Sequence, residues 1–598
     1  MTRARALAPV DELAAIITVD GVWLPSTPPA DQGGKPLMGS VISPDYLAQG
    51  LTYLVDQGML RTEGTIAQVW VLGLAAVEAL GWAIDPGEQA RGVTMRQLQE
   101  QARERLAQAV ADARPDLEAR GWTLRDGWET GGYRVRLQRL PKGPLARGKA
   151  RKPEPRVDVV LEVYAWTTGG GSENDEREML GVLGGESAGT GLPDSDTDID
   201  AARVEMGRRL GWCVQHFGML PGVTGSATGA ALAERIWRAA EERNTGIQAK
   251  IDAGRATKER FSVFPIGPGP LPPLNDPPAG DVEPRITWTR LPSRAEIEAA
   301  DRIAITDQRA SYLAGKPNLA LGDPVTLNAT ELDAALWFSA EENPAKWPAG
   351  LWRVQFPAPE LVPDWGMLPP FHQTWWQSGD ADPDTYPILW TTTETLAGMA
   401  ADPDKGGFGI DWCRENIPFI EGWTYPHAGH ALDKWQGTLS TAYKTAVSTG
   451  DRPMKAITGD IYKGYIGRWL QGPDQWGKYR ARHSQKVWYQ QVHALATVRN
   501  RRRAAEIHAR TAEAGHALFP VRANTDDLMY LIPAGLDAAL LADDDSDGRF
   551  TLGRMVIKHL APLTDADRAA LLAAVDAADL TAFTNAASAA FAAAEGRA

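Results

Sequence analysis

Two aspartates more than two hundred positions apart have the residue type and the setting for metal-dependent chemistry. Asp307 lies in IAITDQRASYLAG, and Asp526 lies in FPVRANTDDLMYLIP. Each follows a short apolar run, a pattern that predicts the end of a β-strand or the turn after it. Nucleotidyl transfer is an in-line displacement at phosphorus that uses two divalent metals, which need carboxylates on rigid strands. We therefore expect Asp307 and Asp526 to be catalytic residues that hold Mg²⁺ or Mn²⁺.

Candidate nucleotide contacts lie between the two aspartates. Tyr312 follows Asp307 by five residues, where it would lie under the incoming sugar and clash with a 2′-hydroxyl. The segment PMKAITGDIYKGYIG predicts a helix that points Lys455 or Lys463 at the triphosphate and rests Tyr462 against the new base pair. Each pattern is common by itself, because acids favour turns, tyrosines fill cores and lysines on helices are usually solvated. Their joint order along the chain is the stronger signal.

A concentration of basic residues lies between the lysine segment and the second aspartate. Nine basic residues and a single acid, Glu506, fall between positions 478 and 510 of a chain whose net charge is −14. Such a run suggests contact with the phosphate backbone of DNA, and the aromatic residues near it suit base stacking. The alternative is a solvated helix face whose charges meet acids elsewhere. The basic residues are Lys478, Arg480, Arg482, Lys486, Arg499, Arg501, Arg502, Arg503 and Arg510, and the aromatic ones are Trp476, Tyr479, Trp488 and Tyr489.

The composition is that of a globular protein of several domains. A chain of 598 residues is long enough for several cores, and 43% hydrophobic with 23% charged residues are ordinary values. Its two cysteines, Cys213 and Cys413, form neither a C-x-x-C pair nor a disulfide framework, which fits a reducing compartment. No run of about eighteen apolar residues predicts a membrane span, and the first residues lack the apolar core of a signal peptide. We expect a cytoplasmic, nucleoid-associated protein with no membrane partner.

Changes of pattern along the chain predict five segments. Residues 1–112 have helical spacing and predict a helical N-terminal domain. Alternating strands followed by two helices predict an α/β domain over 113–263. Prolines make 264–284 a stiff linker. Residues 285–560 contain both aspartates and form the second large unit, and the Ala-rich tail 561–598 is predicted to be helical.

Taken in order, these elements resemble the three polymerase motifs of family B DNA polymerases, D-x-x-S-L-Y-P-S, K-x-x-x-N-S-x-Y-G and D-T-D-S. Asp307 and Tyr312 match the first motif, and Asn524-Thr525-Asp526-Asp527 resembles the third. GRMVIKHL, with Lys558, resembles a later lysine motif that contacts the primer-template duplex. The resemblance implies an α+β multidomain fold. The implied fold is a polymerase-like right hand, with an antiparallel palm sheet and helical fingers. A reduced exonuclease-like domain precedes it, and a thumb remnant or helical tail follows it.

A closer resemblance is to the telomere-associated protein (Tap) family of linear actinobacterial replicons. It covers roughly residues 115 to 560 and rests on the serial order of the matching segments. The resemblance implies binding of single-stranded 3′ ends of linear DNA and recruitment of a terminal protein that primes end filling. The segments are GWTLRDGWETGGYRVRL, RVDVVLEVYAW, LGWCVQHFGMLPGVTGSATG, PILWTTTETLAGMA, GHALDKWQGTLSTAYKTAV, DIYKGYIGRW and TDDLMYLIPAG.

Departures from the family B motifs bear on whether the chain is an enzyme. Asn524 replaces the first acid of the third motif, and Gly459 stands where the middle motif has its lysine. Lys463 falls at the position of that motif's asparagine, so Lys455, one turn earlier, is left to supply the cation. One hypothesis is a replication protein of linear DNA ends that keeps metal-dependent DNA polymerase activity. The alternatives are a non-catalytic platform that recruits a terminal protein, and a DNA-binding regulator that uses the N-terminal helices.

Overall fold

The computed structural model of the protein divides the chain into two compact units. The first contains Met1–Arg235 and Thr438–Tyr465, and the second contains Ile236–Gly437 and Ile466–Ala598. Both units contain helices and strands, so the chain is α+β and multidomain, as the sequence predicts. The described residues are 8–39, 43–62, 66–84, 95–125, 134–141, 154–164, 181–183, 190–222, 224–255, 287–321, 324–332, 347–355, 388–425, 427–469, 486–543 and 550–595.

Six strands form a mixed sheet in the first unit. They are β1 (Ala14–Thr18), β2 (Gly21–Trp23), β3 (Ala67–Val71), β4 (Trp122–Leu124), β5 (Arg134–Arg139) and β6 (Arg156–Leu161). Their order is β2-β1-β3-β6-β5-β4, in which β1, β3 and β6 are parallel neighbours and the other pairs are antiparallel. Every residue of β1 and β3 is buried, so these strands lack the alternation of a sheet with one exposed face, and Thr18 and Gln68 are their only polar residues.

The first three strands differ from the sequence prediction, which makes residues 1–112 a helical domain. In the structure β1, β2 and β3 lie within that range and share one sheet with β4, β5 and β6. A short continuous apolar run cannot be told from a buried helix by periodicity alone. AQVWV of β3 is followed almost directly by the helix Leu74–Ala79, so the two elements read together as one helical stretch.

Helices of the first unit begin and end at residues with suitable capping chemistry. Ser43 caps the helix that starts at Pro44, and Asp198 caps the helix that ends before Gly218, whose φ is +66°. The helix Gly225–Asp252 begins in this unit, and Asp433–Ser448 ends in it. The other helices are Pro44–Asp56, Leu74–Ala79, Met95–Asp112, Arg114–Ala119, Ile199–Phe217 and Arg452–Arg468, of which the last three residues belong to the second unit.

Glycines let the start of the helix Gly225–Asp252 approach the helix that carries the predicted phosphate lysines. A Cβ on Gly229 would lie 2.8 Å from the carbonyl oxygen of Ile461 and 2.6 Å from the Cβ of Tyr465. A Cβ atom essentially never lies this close to a non-bonded heavy atom, so a side chain here would force the two backbones apart. The lysine helix is therefore held in place by a backbone contact that requires glycine.

Replacing Gly229 with Ala should destabilise the first unit by about 1–3 kcal/mol, because the added methyl group overpacks the helix contact. The matched control is Gly246→Ala in the same helix, where a Cβ would meet nothing within 4 Å. That change should stabilise the helix by about 0.5–1 kcal/mol, because alanine restricts the unfolded chain. Urea unfolding of the two variants gives both values. Equal stability of the two would show that the helices do not approach this closely.

The central sheet of the second unit has five strands, all paired antiparallel. They are β7 (Thr287–Thr289), β8 (Ala300–Gln308), β15 (Arg522–Asn524), β16 (Asp527–Pro533) and β17 (Met555–Pro562). Their order is β17-β8-β16-β15-β7, so the two strands with the acidic motifs, β8 and β16, are neighbours near the middle. An antiparallel sheet in this part of the chain is what the family B resemblance implies.

Smaller sheets and helices complete the second unit. The strands are β9 (Leu319–Leu321), β10 (Val325–Asn328), β11 (Gly350–Gln355), β12 (Ile388–Thr392), β13 (Phe419–Thr424) and β14 (His427–Gly429), in sheets of order β10-β13-β11-β12 and β14-β9. We name the helix Lys486–Glu513 the basic helix and the helices Asp565–Asp576 and Leu580–Glu595 the C-terminal pair. The other helices are Arg294–Ala299, Ser311–Ala314, Ala329–Leu332, Thr393–Met399 and Ile410–Asn416. No helix among the described residues is long and apolar enough to cross a membrane.

Alternate side chains of β16 enter two different cores. Leu528 and Tyr530 pack in one core with Ile507 of the basic helix. Met529, between them, packs in a second core with Phe583 of the C-terminal pair. Because successive side chains of a strand point to opposite faces, the sheet is covered on both sides. This explains the uninterrupted apolar run LMYLI, and it leaves the polar ends of β8 and β16 as the place for a site.

Candidate active site at the ends of strands β8 and β16

The register of β8 and β16 places two aspartates opposite each other. Asp307 pairs directly with Asp527, and Thr306 pairs with Leu528. Directly opposed residues of antiparallel strands have their side chains on the same face, with Cβ atoms about 4.5–5.5 Å apart. Asp526 lies in the turn before β16, and its carbonyl oxygen accepts a hydrogen bond of 3.0 Å from the Gln308 amide. The acids of the two motifs therefore meet at one end of the sheet.

The turn between β15 and β16 has a strained backbone. The amide of Asp526 donates to the carbonyl of Asn524 over 2.6 Å, which closes a three-residue turn around Thr525. Thr525 has φ of +50°, a left-handed conformation that is unfavourable for a β-branched residue. The Ser311 hydroxyl donates to the Asp526 carboxylate at 2.5 Å. This bond joins the turn to the segment after β8, so Asp526 acts as a structural link as well as a candidate ligand.

Asp527 has a carboxylate oxygen in an unusual environment. Its Oδ1 is buried and accepts no hydrogen bond from the described part of the chain. Burial raises the pKa of Asp527 above its ordinary value, and Asp526 adds to this, whereas Arg522 and Lys558 oppose it. The Arg522 guanidinium lies 3.6 Å from Oδ1, beyond hydrogen-bond range. The Asn524 side chain hydrogen-bonds to this carboxylate, so only Oδ1 lacks a donor from the described residues, and a desolvated oxygen of this kind is a candidate for binding a cation.

Lys558 lies beside the same acids. Its ammonium nitrogen is 3.8 Å from Oδ2 of Asp307, and about half of its side chain is exposed. The pairing of β17 with β8 shifts between Ile557 and His559, so Lys558 is the extra residue of a β-bulge. Bulges redirect side chains and are frequent next to active sites. The residue predicted to contact a primer-template duplex thus lies next to Asp307, the first of the predicted metal ligands.

The donor set at this end of the sheet fits a single Mg²⁺ or Mn²⁺. Asp307 and Asp527 present carboxylates on one face, and one of their oxygens lacks a donor. Mg²⁺ is commonly bound by one or two carboxylates and completes its shell with water and substrate phosphates. The described residues contain no group of three or more His, Cys, Asp or Glu side chains arranged to hold a metal. A cation held by Asp307 and Asp527 would therefore need further ligands from water or a substrate.

Asp527 is a site residue that the sequence analysis did not select. The motif comparison assigns metal binding to Asp526 and gives Asp527 the place of a serine. Which of two adjacent acids faces Asp307 depends on the length of the turn, since a one-residue change moves a side chain to the other face. The signal available in the sequence is that both residues are acidic. The role of Asp526 as a ligand stays a prediction.

Tyr312 lies in an aromatic group with the basic helix. Its ring centroid is 4.8 Å from that of His493, and its hydroxyl lies 3.4 Å from Nδ1 of the same residue. The His493 ring in turn lies 3.9 Å from the ring of Tyr489. The Gln436 side chain also donates to the Tyr312 carbonyl at 3.1 Å. The position and orientation of Tyr312 are therefore well determined, and its sugar-gating role remains a prediction.

Residues in the middle of the basic helix donate hydrogen bonds to the chain at the ends of β8 and β16. Arg499 donates to the Ser311 carbonyl at 2.9 Å and to the Gln308 side chain at 3.3 Å. Asn500 donates to the Asp527 carbonyl at 3.1 Å. Burial lowers the pKa of Arg499 to about 10, and the nearby Asp526 carboxylate opposes this. Arg499 was predicted to bind DNA, but its guanidinium is used to position the chain around both acids.

The next three arginines differ strongly in their environments. Arg501 is buried and donates to the Gly406 carbonyl through two nitrogens, at 3.1 and 2.8 Å. Arg503 donates to Glu506 at 2.6 Å. Arg502 also donates to Glu506, at 2.9 Å, but 59% of its side chain is exposed. Arg501 therefore does not offer a surface cation, and Arg502 is the most available of the three.

The remaining DNA-contact candidates on this segment are only partly described. Lys478, Trp476 and Tyr479 lie outside the described residues, and Lys486 is described only as the first residue of the basic helix. Trp488 is fully buried, and its indole nitrogen donates to the Ala320 carbonyl at 2.8 Å. It is a packing residue and not a platform for bases.

The predicted triphosphate residues lie on the helix Arg452–Arg468. Lys455 and Lys463 are both exposed, whereas Tyr462 between them is buried. The Tyr462 ring packs edge-on against Tyr443, with centroids 6.4 Å apart. Tyr462 therefore contributes to the packing of its own unit. The two lysines keep the exposure that a phosphate contact requires, and their role stays a prediction.

A buried carboxyl anchors the first turns of the basic helix. The Gln491 side chain donates to Glu394 at 2.7 Å and to the Asn318 carbonyl at 3.1 Å, and it accepts from the Ala320 amide at 3.0 Å. Part of the Glu394 residue is exposed, but its carboxylate oxygen Oε2 is buried and accepts no hydrogen bond from the described residues. Burial raises the pKa of Glu394 to about 7. Its charge state therefore changes near neutral pH.

Glu394→Gln should change the pH dependence of stability. The folded protein holds the Glu394 proton more tightly than the unfolded chain, so the wild type loses stability as pH rises from the ordinary pKa of 4.5 to about 7. Glutamine has no such proton, so the variant should gain about 1–3 kcal/mol relative to wild type across this range. Urea unfolding at about pH 5 and about pH 8 measures the difference. The exposed Glu415→Gln is the control, and a pH-independent difference for Glu394→Gln would contradict the assignment.

Comparison with known proteins gives structural similarity alone. No protein-family model and no curated protein matches the sequence. Phi29 DNA polymerase complexed with primer-template DNA, in a post-translocation binary complex, is similar with a TM-score of 0.39 and 10% identity, covering 88% of this chain and 78% of that chain. The same polymerase complexed with single-stranded DNA gives a TM-score of 0.35 and 10% identity, covering 88% and 78%. TM-scores below 0.5 do not establish a shared activity, so the site itself must support any function.

Proposed function

We propose that the protein is a DNA-binding replication protein of linear DNA ends whose core performs metal-dependent nucleotidyl transfer. The observation that supports this most is the direct pairing of Asp307 with Asp527 across β8 and β16. Two carboxylates on one face at the end of a covered sheet are the arrangement that a cation needs for phosphoryl chemistry. The reaction class is that of a DNA-directed DNA polymerase.

The residues around the acid pair have separate roles in this proposal. Asp307 and Asp527 hold the cation. Asp526 is either a third ligand of the cation or fixes the turn through its hydrogen bond from Ser311. Bound Mg²⁺ or Mn²⁺ supplies activation of the 3′ oxygen and neutralises the leaving pyrophosphate. Tyr312, beside His493, is assigned to the sugar of the incoming nucleotide. Lys455 or Lys463, both exposed, is assigned to the triphosphate.

The substrate and partner follow from the resemblance to the Tap family. In this proposal the chain binds single-stranded 3′ ends and recruits a terminal protein as primer. Arg502 offers an exposed guanidinium for the DNA backbone, and Lys478, Lys486 and Lys558 are further candidates. The resemblance rests on the serial order of sequence segments, and the experiment below tests binding and catalysis separately.

A non-catalytic platform is the second candidate. Lys558 already places a positive charge 3.8 Å from Asp307, and an asparagine stands at the first acid of the third motif. Both features reduce the net negative charge available for metals. Under this function the sheet is a scaffold, and variants at the acid pair keep full DNA binding and full support of replication.

Primer extension with Mg²⁺ or Mn²⁺ tests the catalytic assignment. Asp307→Asn and Asp527→Asn should each lower the rate at least about 100-fold, equivalent to about 2.7 kcal/mol of transition-state stabilisation. Asp301→Asn, on the same strand and 45% exposed, should leave the rate unchanged. Asp526→Asn separates its two roles, since an equal loss makes it a ligand and a smaller loss makes it a link to Ser311. Unchanged extension in both Asp307→Asn and Asp527→Asn would reject the enzyme in favour of the platform.

The salt dependence of DNA binding tests the basic helix. Arg502→Gln should flatten the slope of log affinity against log salt by about 0.7–0.9, the value of one phosphate contact. The control is Arg294→Gln, because Arg294 is 54% exposed and also ion-paired, with Asp576. Fluorescence anisotropy with a single-stranded 3′ end gives both slopes. A slope that does not change for Arg502→Gln would remove this residue from the interface.

A further inference from the structure

Lys558 and Asp307 form an ion pair at the place where a cation would bind. The ammonium nitrogen lies 3.8 Å from Asp307 Oδ2, and 51% of the lysine side chain and 31% of the aspartate side chain are exposed. A residue placed only to contact DNA would be expected to point away from the acids of the reaction centre. Here the direct partner of Asp307 on β17 is Val556, and Lys558 is brought near by the bulge that follows.

The charge of Lys558 acts on both acids of the pair. It is one of the two cations that counter the effect of burial on the pKa of Asp527, the other being Arg522. The same ammonium therefore forms an ion pair with Asp307 and attracts Asp527 electrostatically. An ammonium this close to Asp307, with Asp527 directly opposite on the neighbouring strand, supplies positive charge where a divalent cation would supply it.

We propose that Lys558 is a built-in counter-ion of the Asp307–Asp527 pair, and that a divalent cation must displace it to bind. The inference rests on the proposed metal site and specifies its regulation. In the free protein the ammonium partly neutralises the acids. When a cation binds together with the phosphates of a nucleotide or DNA end, the lysine is released on its flexible stem. It then becomes available to a phosphate oxygen.

The displacement has a direct consequence for affinity. Removal of the lysine charge should leave the two carboxylates uncompensated and so raise the affinity for a divalent cation. Since the side chain is half-exposed, solvent screens part of the interaction, and we expect an increase of about 5- to 10-fold and not a larger one. Lys558→Arg keeps the charge and should keep the affinity of the wild type.

Mn²⁺ titration followed by electron paramagnetic resonance measures this without any catalytic step. The full chain, free of nucleotide and DNA, is compared with Lys558→Gln, Lys558→Arg and Lys316→Gln. Lys316 is the matched control, because its ammonium also lies 3.8 Å from an aspartate, Asp433, and is 73% exposed. The expected result is tighter Mn²⁺ binding in Lys558→Gln alone. Thermal unfolding of each variant confirms that the chains are folded.

The outcomes separate this inference from the proposed function. If wild type and Lys558→Gln bind Mn²⁺ equally, and Asp307→Asn abolishes binding in both, the metal site stands and the counter-ion role of Lys558 is overturned. If neither binds more Mn²⁺ than Asp307→Asn, both the metal site and the inference are overturned. An equal rise in Lys316→Gln and Lys558→Gln would show a general effect of net charge, which also overturns the role of Lys558.

Discussion

The antiparallel register of β8 and β16 is the constraint on which the site depends. Side chains alternate between the faces of a sheet, so a slip of one residue would place Asp307 and Asp527 on opposite sides. The register is fixed because both faces are buried. Leu528 and Tyr530 must enter the core beside the basic helix, and Met529 must enter the core beside the C-terminal pair. Hydrophobic packing of the residues that follow Asp527 along β16 therefore determines which acids meet.

The basic helix contributes to the site mainly through internal hydrogen bonds. Arg499, Asn500 and the Ala496 carbonyl, which accepts from Gln308, bind the backbone and side chains at the ends of β8 and β16. Farther along, Arg502 and Arg503 share Glu506. The basic residues of this helix thus donate hydrogen bonds mainly to carbonyl groups and to the Glu506 carboxylate, and only part of their charge faces solvent. Sequence charge density overstates the positive surface of this helix.

Sequence patterns predicted the site strands but not the details of the site. IAIT before Asp307 and LMYLI after Asp527 are apolar runs bounded by acids, which locate the strand ends without any tertiary information. The choice between Asp526 and Asp527 depends on a turn closed at Thr525, whose positive φ no propensity indicates. The burial of Arg501 was not readable from helix spacing, because Arg501 and Arg502 lie three residues before Ala504 and Ala505, both of them buried, and yet Arg502 is exposed. The partner of Arg501, the Gly406 carbonyl, comes from a distant loop that no local pattern predicts.

The charge balance of the site connects its two candidate functions. Three carboxylates, Asp307, Asp526 and Asp527, lie at the sheet end, and two cations, Lys558 and Arg522, lie within 4 Å of two of them. A site with this balance has little electrostatic drive to take a divalent cation alone, since most of its negative charge is already compensated. It gains that drive when a substrate brings phosphate oxygens that complete the shell of the metal and accept the displaced lysine. In the proposed function, cation binding is coupled to the DNA end, so the same chain would be a binding platform without nucleotide and an enzyme with it.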